Sequence, residues 1–63
     1  MPGRLLTYKQ AAALLGISPG TLHWWVHEKR LPHIRYGPRL VRFDEDVLIA
    51  WIAERTVEPD DDR

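Results

Sequence analysis

The sequence predicts a mainly α-helical fold with one small β-hairpin, because three helix starts and one alternating segment can be read along 63 residues. Each helix start is marked by side chains that cap free backbone amides. The hairpin is marked by a change from helical spacing to strict alternation. A chain of this length forms a single domain. We therefore expect one domain over residues 1–55, followed by an acidic, mobile tail over residues 56–63.

The first helix is predicted over residues 8–15. Thr7 and Gln10 have the spacing of a capping box, in which each side chain satisfies the other residue's backbone amide. Leu6 stands at the position of a hydrophobic staple. Gly16 supplies the left-handed residue that ends a helix at little cost.

The second helix is predicted over residues 19–29, after a turn of only three residues. Ser18 is a favourable N-cap, and Pro19 follows it at the first helical position, where a missing N–H costs nothing. Two helices joined by so short a connection that contains glycine are typical of a helix-turn-helix.

The hairpin and the third helix follow. Over residues 33–43 apolar side chains alternate with polar ones, and Gly37-Pro38 interrupts the pattern as a turn. Asp44 then caps a third helix over residues 45–55, and the acidic residues 45 and 46 favour its positive end. The predicted order is thus helix, turn, helix, two strands, helix.

Charge and composition favour binding over catalysis. Residues 1–43 carry a net charge of +6 and residues 44–63 carry −6, which is typical either of a polyanionic partner for the first part or of a solvated surface whose charges happen to be segregated. No cysteine, phosphate-binding loop or paired nucleophile is present, so we expect no enzyme, no catalytic residue and no cofactor. The longest apolar run, residues 47–53, is far shorter than the roughly 20 residues of a membrane span, and no secretory leader is evident. We expect a cytoplasmic protein with no membrane partner.

The second helix has an inward and an outward side. At about 100° per residue, Leu22 and Val26 form the inward stripe. The outward side has the geometry for insertion into a DNA major groove. This outward side consists of Gly20, Trp24 and His27, and it is flanked by Thr21 and His23.

The hairpin is basic. Arg35, Arg39 and Arg42 fall within eight residues, beside the outward helix face. A basic two-stranded ribbon next to a helix-turn-helix is called a wing, and it can hold phosphates or enter the minor groove. The alternative is a hairpin whose arginines only keep a strand edge soluble. We favour the winged helix-turn-helix.

The residues in this order resemble those of the excisionase family, small winged-helix DNA-binding proteins of phages and other mobile elements that are similar in their core to MerR regulators. The resemblance covers roughly residues 5–53 and rests on these segments: 6–18, Thr21-Leu22, Arg30-Leu31-Pro32, Arg35-Tyr36-Gly37, Asp46-Val47 and Trp51-Ile52. It implies a recombination directionality factor that binds and bends double-stranded attachment-site DNA and directs an integrase toward excision. Because a single domain of this size covers few base pairs, we expect several self-associating copies side by side on one site, or another protein bound next to it. Several family members act instead as transcriptional regulators.

The resemblance also implies which residues contact DNA. The base-reading positions correspond to Pro19, Gly20, Thr21, His23, Trp24 and His27, and the wing contacts to Arg35, Gly37 and Arg39, with Arg42 as a further candidate. Many family members carry Arg or Lys where this chain has Pro19, Gly20 and Trp24. More of the affinity is therefore expected from the wing and from Lys9, Arg30 or Arg4.

Several alternatives stay open at this point. Trp25 and Trp51 are expected in the core, whereas Trp24 contacts either DNA or a neighbouring subunit. His23 and His27 have a spacing that can hold zinc, but no further ligand stands with them, so we expect no metal. The acidic segment 58–62 either increases solubility or contacts an integrase or a second subunit. An exposed Trp24 face would also suit a protein-interaction module, whose binding should be less sensitive to salt than DNA binding.

Overall fold

The structure, a computed structural model, describes residues 3–59. Over this range it contains three helices and a three-stranded antiparallel sheet. In chain order the elements are β1 (Leu5–Leu6), α1 (Tyr8–Leu15), α2 (Pro19–His27), β2 (Ile34–Gly37), β3 (Leu40–Asp44) and α3 (Glu45–Arg55). The three predicted helices and the hairpin are confirmed, and α1 and α3 have the predicted bounds. The predicted order was incomplete, because it lacked β1.

Strand β1 joins the start of the chain to the hairpin. It pairs antiparallel with β3, which is the middle strand of the sheet, and Leu6 lies opposite Phe43. The Glu45 N–H extends this pairing by donating to the Arg4 carbonyl at 2.8 Å. Leu6, expected as a helix staple, is therefore also a buried strand residue. A strand of two residues is too short for alternation to reveal it.

The predicted caps hold the helix starts. The Thr7 hydroxyl accepts from the Gln10 N–H at 3.2 Å, and the Gln10 side chain accepts from the Thr7 N–H at 3.0 Å. Ser18 Oγ accepts from the Thr21 N–H at 3.1 Å, and one Asp44 oxygen accepts from two amides of the first turn of α3. These bonds satisfy amides that a helix cannot pair internally.

Helix α2 ends at His27, two residues before the predicted end at Lys29. Lys29 adopts a left-handed conformation with φ 57°. Its N–H donates to the Val26 carbonyl, and the Arg30 N–H donates to the Trp25 carbonyl, each at 2.9 Å. This is the Schellman arrangement, which usually carries glycine at the left-handed position. The helix end was mispredicted because a lysine occupies that position.

Replacing Lys29 with glycine should stabilise the protein. A left-handed conformation costs a residue with a Cβ about 1 kcal/mol, part of which the greater freedom of glycine in the unfolded chain offsets. We expect Lys29→Gly to raise the free energy of unfolding by roughly 0.5–1 kcal/mol in urea titrations. Ala50→Gly on the exposed face of α3 is the control and should lower it by a similar amount. A Lys29→Gly protein that is less stable than the parent would contradict this account of the helix end.

One core fills the space between the helices and the sheet. Its buried residues are Leu6, Ala11, Ala12, Leu22, Val26, Leu31, Val41, Phe43 and Leu48. The predicted inward stripe of α2, Leu22 and Val26, is confirmed. Trp25 and Trp51 are half-buried at the edge of this core, with ring centroids 6.3 Å apart, rather than within it as expected.

The register of the hairpin determines which arginine faces the helices. Arg35 lies opposite Val41, and Ile34 lies opposite Arg42. Because directly opposed residues share a face of the sheet, Arg35 shares the face of the buried Val41 while Arg42 is on the other face. The register then shifts between Arg35 and Gly37, so Tyr36 forms a bulge.

The segment after α3 has no regular secondary structure from residue 56 to residue 59, and it is exposed. The remainder of the predicted acidic tail, residues 60–63, lies outside the described residues. Between residues 3 and 59, no helix has the length and apolar character needed to cross a membrane.

Candidate nucleic-acid interface

An open cleft of about 540 Å³ separates helix α2 from the hairpin. It is lined by Tyr8, His23, Val26, His27, Arg35, Pro38, Arg39 and Val41. Four of the predicted DNA contacts, two histidines and two arginines, therefore line the same cleft. Among these eight lining residues of the described chain there is no carboxylate, so the charged groups of the cleft are cationic.

The sequence brings these four side chains together in two ways. His23 and His27 are four residues apart on α2 and therefore lie one above the other on the same side of the helix. Arg35 lies on the core-facing side of β2, and its Nη1 donates to the Pro38 carbonyl across the turn at 3.4 Å. Arg39 follows in that turn and is exposed. A helix face and a strand turn thus form the two walls.

The outward side of α2 continues beyond the cleft. Trp24 is 55% exposed and stacks loosely on His27, with ring centroids 5.9 Å apart. A Cβ added at Gly20 would meet only Ser18 Oγ, at 3.9 Å, so the fold itself does not require glycine there. Pro19 and Gly20 are exposed, whereas the Thr21 hydroxyl accepts a hydrogen bond from Ser18 Oγ at 3.0 Å. The start of α2 can therefore approach another surface closely.

Tyr8 is a residue of the cleft that sequence reasoning missed. Its ring stacks on the His23 ring, with centroids 3.7 Å apart and planes 11° apart. The same ring forms a T-shaped pair with Phe43, with centroids 5.3 Å apart and planes 78° apart. The capping box places Tyr8 at the start of α1, but no local pattern links it to a residue of α2. Only the packing of α1 against α2 brings the two rings together.

Other predicted contacts lie away from the cleft. Arg42 is half-buried on the opposite face of the sheet, and its Nη1 donates to the Val41 carbonyl at 2.8 Å. Arg30 forms an ion pair of 2.7 Å with Glu28, and it lines a separate groove. That groove is formed by Trp25, Arg30, Trp51 and Arg55. Arg42 and Arg30 are therefore not grouped with Arg35 and Arg39, because pleating and the early end of α2 direct them elsewhere.

Lys9, Gly37 and Arg4 complete the predicted set, and Arg4 forms an ion pair of 3.5 Å with Glu45. Lys9 is exposed on α1, next to Tyr8, and Gly37 ends β2 opposite Leu40. None of the three is among the residues that line the cleft.

The three histidines make different contacts within the chain. His33 Nδ1 lies 3.0 Å from the Leu31 carbonyl, within hydrogen-bonding distance, while His23 and His27 each stack on a different aromatic ring. Within the described residues, no group of three or more His, Cys, Asp or Glu side chains is close enough to hold a metal ion.

Comparison with known proteins assigns the family. A family model described as a helix-turn-helix domain matches residues 5–56, which is most of the chain. No curated protein and no solved structure matches the chain significantly. Helix-turn-helix domains place a helix in the major groove of DNA, so the match supports DNA as the partner. Such domains are generally not enzymes. With its capped helix pair, three-residue turn and matching residues 5–56, the chain belongs to this helix-turn-helix domain family.

Proposed function

We propose that this protein is a sequence-specific DNA-binding protein of the excisionase type, with a winged helix-turn-helix. In this proposal it binds attachment-site DNA, bends it and directs an integrase toward excision. The observation that carries the DNA-binding role is the cleft itself, in which His23 and His27 of α2 line the same space as Arg35 and Arg39 of the hairpin. The excisionase role is supported by the resemblance over residues 5–53, whereas the helix-turn-helix family match supports DNA binding alone.

In this proposal the two walls of the cleft contact different parts of the DNA. The start of α2 enters the major groove, which is about 12 Å wide and admits a helix. The exposed Gly20 permits close approach, while His23, Trp24 and His27 reach base edges. The turn of the hairpin brings Arg35 and Arg39 to the phosphates as the wing. Base contacts then specify the sequence, and phosphate contacts position the protein on it.

The small size of the domain favours action in several copies. A single small DNA-binding module buries only about 600–1,000 Å² of protein surface, which limits the base pairs that one copy can read. Several copies side by side, or an integrase bound next to them, would supply the missing specificity. This requirement fits an architectural protein that shapes attachment-site DNA.

Arg39→Ala tests the phosphate role of the wing. Loss of one phosphate contact should weaken binding to all duplexes about equally and lower the slope of log affinity against log salt by about 1. Fluorescence anisotropy titrations from 50 to 200 mM salt would measure this slope. Arg55→Ala removes the same charge from α3, where the Arg55 guanidinium lies 4.0 Å from the Trp51 ring centroid, and should leave the slope unchanged. An unchanged slope for Arg39→Ala would remove Arg39 from the interface.

Selection of duplexes from a randomised library tests the function as a whole. We expect enrichment of one short motif, footprints of several adjacent copies, and bending of the selected duplex in circular-permutation gel shifts. A single copy that binds without bending would instead favour a transcriptional regulator with the same reading surface. No enrichment of any motif would contradict sequence-specific binding altogether.

A protein-interaction module is the second candidate, and the 55% exposure of Trp24 is the observation that favours it. Measuring the affinity at several salt concentrations distinguishes DNA binding from an apolar protein contact. DNA binding should weaken steeply with salt as counterions are released, whereas an apolar protein contact should not.

A further inference from the structure

Tyr8 connects the core to the proposed reading surface. Its ring stacks face to face on His23 at 3.7 Å and contacts Phe43 edge-on at 5.3 Å. Phe43 is fully buried, Tyr8 is half-buried and His23 is exposed. The three rings therefore form a continuous row from the core of the protein to the surface of α2.

The position of Tyr8 is determined by features independent of His23. Tyr8 is the first residue of α1, directly after Thr7, whose capping box with Gln10 is complete. The same helix is anchored through Ala11 and Ala12, both buried. With Phe43 packed against it in a T-shaped arrangement, the Tyr8 ring is a supported platform and not a free surface side chain.

Stacking on the Tyr8 ring limits which part of the His23 ring can contact DNA. One face of the imidazole is covered by the Tyr8 ring, so the ring plane is held and the ring edge remains free. The edge of an imidazole carries its two nitrogens, of which the protonated one donates a hydrogen bond. In the major groove, purines present N7 as an acceptor, and guanine adds O6. A ring held edge-on is therefore suited to a purine acceptor.

We propose that Tyr8 is a positioning residue for sequence recognition, which holds the His23 ring edge-on toward a purine acceptor in the major groove. This inference rests on the proposed function, because it requires α2 to read bases. Tyr8 itself acts through His23 in this scheme. Its effect should therefore vanish when His23 is absent.

A double-mutant cycle tests this dependence. The probes are the duplex that the parent protein selects from a randomised library and a random duplex of the same length. Tyr8→Leu and His23→Ala should each lose about tenfold in affinity for the selected duplex, as expected for one lost base contact, with binding to random duplex changed less than about twofold. The double variant should be no weaker than His23→Ala. Tyr8→Phe, which keeps the stacked ring, should bind like the parent.

An NMR measurement without DNA checks the stack itself. A ring stacked at this distance shifts the imidazole proton signals of His23 upfield, and Tyr8→Leu should abolish that shift while Tyr8→Phe retains it. Circular dichroism would establish that each variant is folded. If Tyr8→Leu does not fold, Tyr8→Met replaces it in both measurements, because a flexible thioether can fill the same space over Phe43.

The possible failures are distinguishable. If His23→Ala keeps the specificity of the parent, base reading by this part of α2 is wrong and the inference fails with it. If His23→Ala loses specificity but Tyr8→Leu weakens binding further in that background, Tyr8 acts independently and only the positioning role is wrong. If Tyr8→Leu loses affinity equally for the selected and the random duplex, the role of Tyr8 is structural only. A Tyr8→Phe protein as weak as Tyr8→Leu would mean that the hydroxyl, and not the stacked ring, matters.

Discussion

Phe43→Ala is expected to leave most of the protein unfolded at 25 °C. Phe43 has 0% exposure, lies on the middle strand of the sheet and is the largest of the fully buried side chains. Truncating a buried phenylalanine costs about 3–5 kcal/mol, from lost burial and from the cavity left behind. A core in a domain this small supplies roughly 3–5 kcal/mol of net stability. Thermal and urea melts followed by circular dichroism would measure the loss.

Leu40→Ala is the matched control, because Leu40 lies on the same strand but is 46% exposed. We expect a loss below about 1 kcal/mol for this variant, since little apolar area leaves the interior. Cooperative melting of Phe43→Ala near the parent temperature would show that the core does not depend on the contact between β3 and the helices.

Local signals predicted the helices well because their ends are decided by neighbouring residues. The Thr7 and Ser18 caps act on amides within the first turn, so α1 and α2 begin where the sequence indicates. Gly16 ends α1 with φ 74° for the same local reason. Lys29 adopts the left-handed conformation although it is not glycine. Its residue type therefore gave no signal that the helix ends there. The end of α2 was therefore the one helix boundary that the sequence did not reveal.

The pairing of distant segments was harder to predict. Strand β1 exists only because Leu6 meets Phe43 across the chain, and nothing in residues 5 and 6 alone distinguishes a strand from a helix staple. The Tyr36 bulge likewise depends on the register between two strands. Alternation did identify the hairpin, and Val41 and Phe43 share its buried face, because a buried sheet face imposes a period of two.

The residues of the candidate site were likewise predictable where their placement depends on one helix, and not where it depends on contacts between elements. The helical period placed His23 and His27 on one side of α2, and their presence in the cleft agrees with that prediction. The arginines of the hairpin could not be sorted from composition, since the pleat sends Arg35 and Arg42 to opposite faces. Tyr8 was missed because its role depends on the packing of two helices. Contacts made within one helix were thus accessible to sequence reasoning, and contacts between elements were not.

Trp24→Ala should reduce sequence-specific DNA binding and leave the fold intact. Trp24 is 55% exposed on α2, and alanine is a better helix former than tryptophan, so the folded state should lose little stability. If the indole packs against a thymine methyl or a sugar in the groove, its loss should cost roughly 1–3 kcal/mol on the selected duplex. Affinity for random duplex should barely change. Competition titrations with both duplexes would measure the specificity ratio.

Tyr36→Ala is the control for Trp24→Ala, because Tyr36 is an aromatic residue of similar exposure, 57%, that does not line the cleft. It should keep the specificity ratio of the parent, so that a lower ratio for Trp24→Ala reflects the place of Trp24 on α2 and not the loss of any exposed aromatic ring. If Trp24→Ala abolishes only the cooperativity between copies on one duplex, Trp24 belongs to a contact between subunits. A ratio equal to that of the parent, with cooperativity intact, would exclude Trp24 from both surfaces and would leave His23 and His27 as the reading residues of α2.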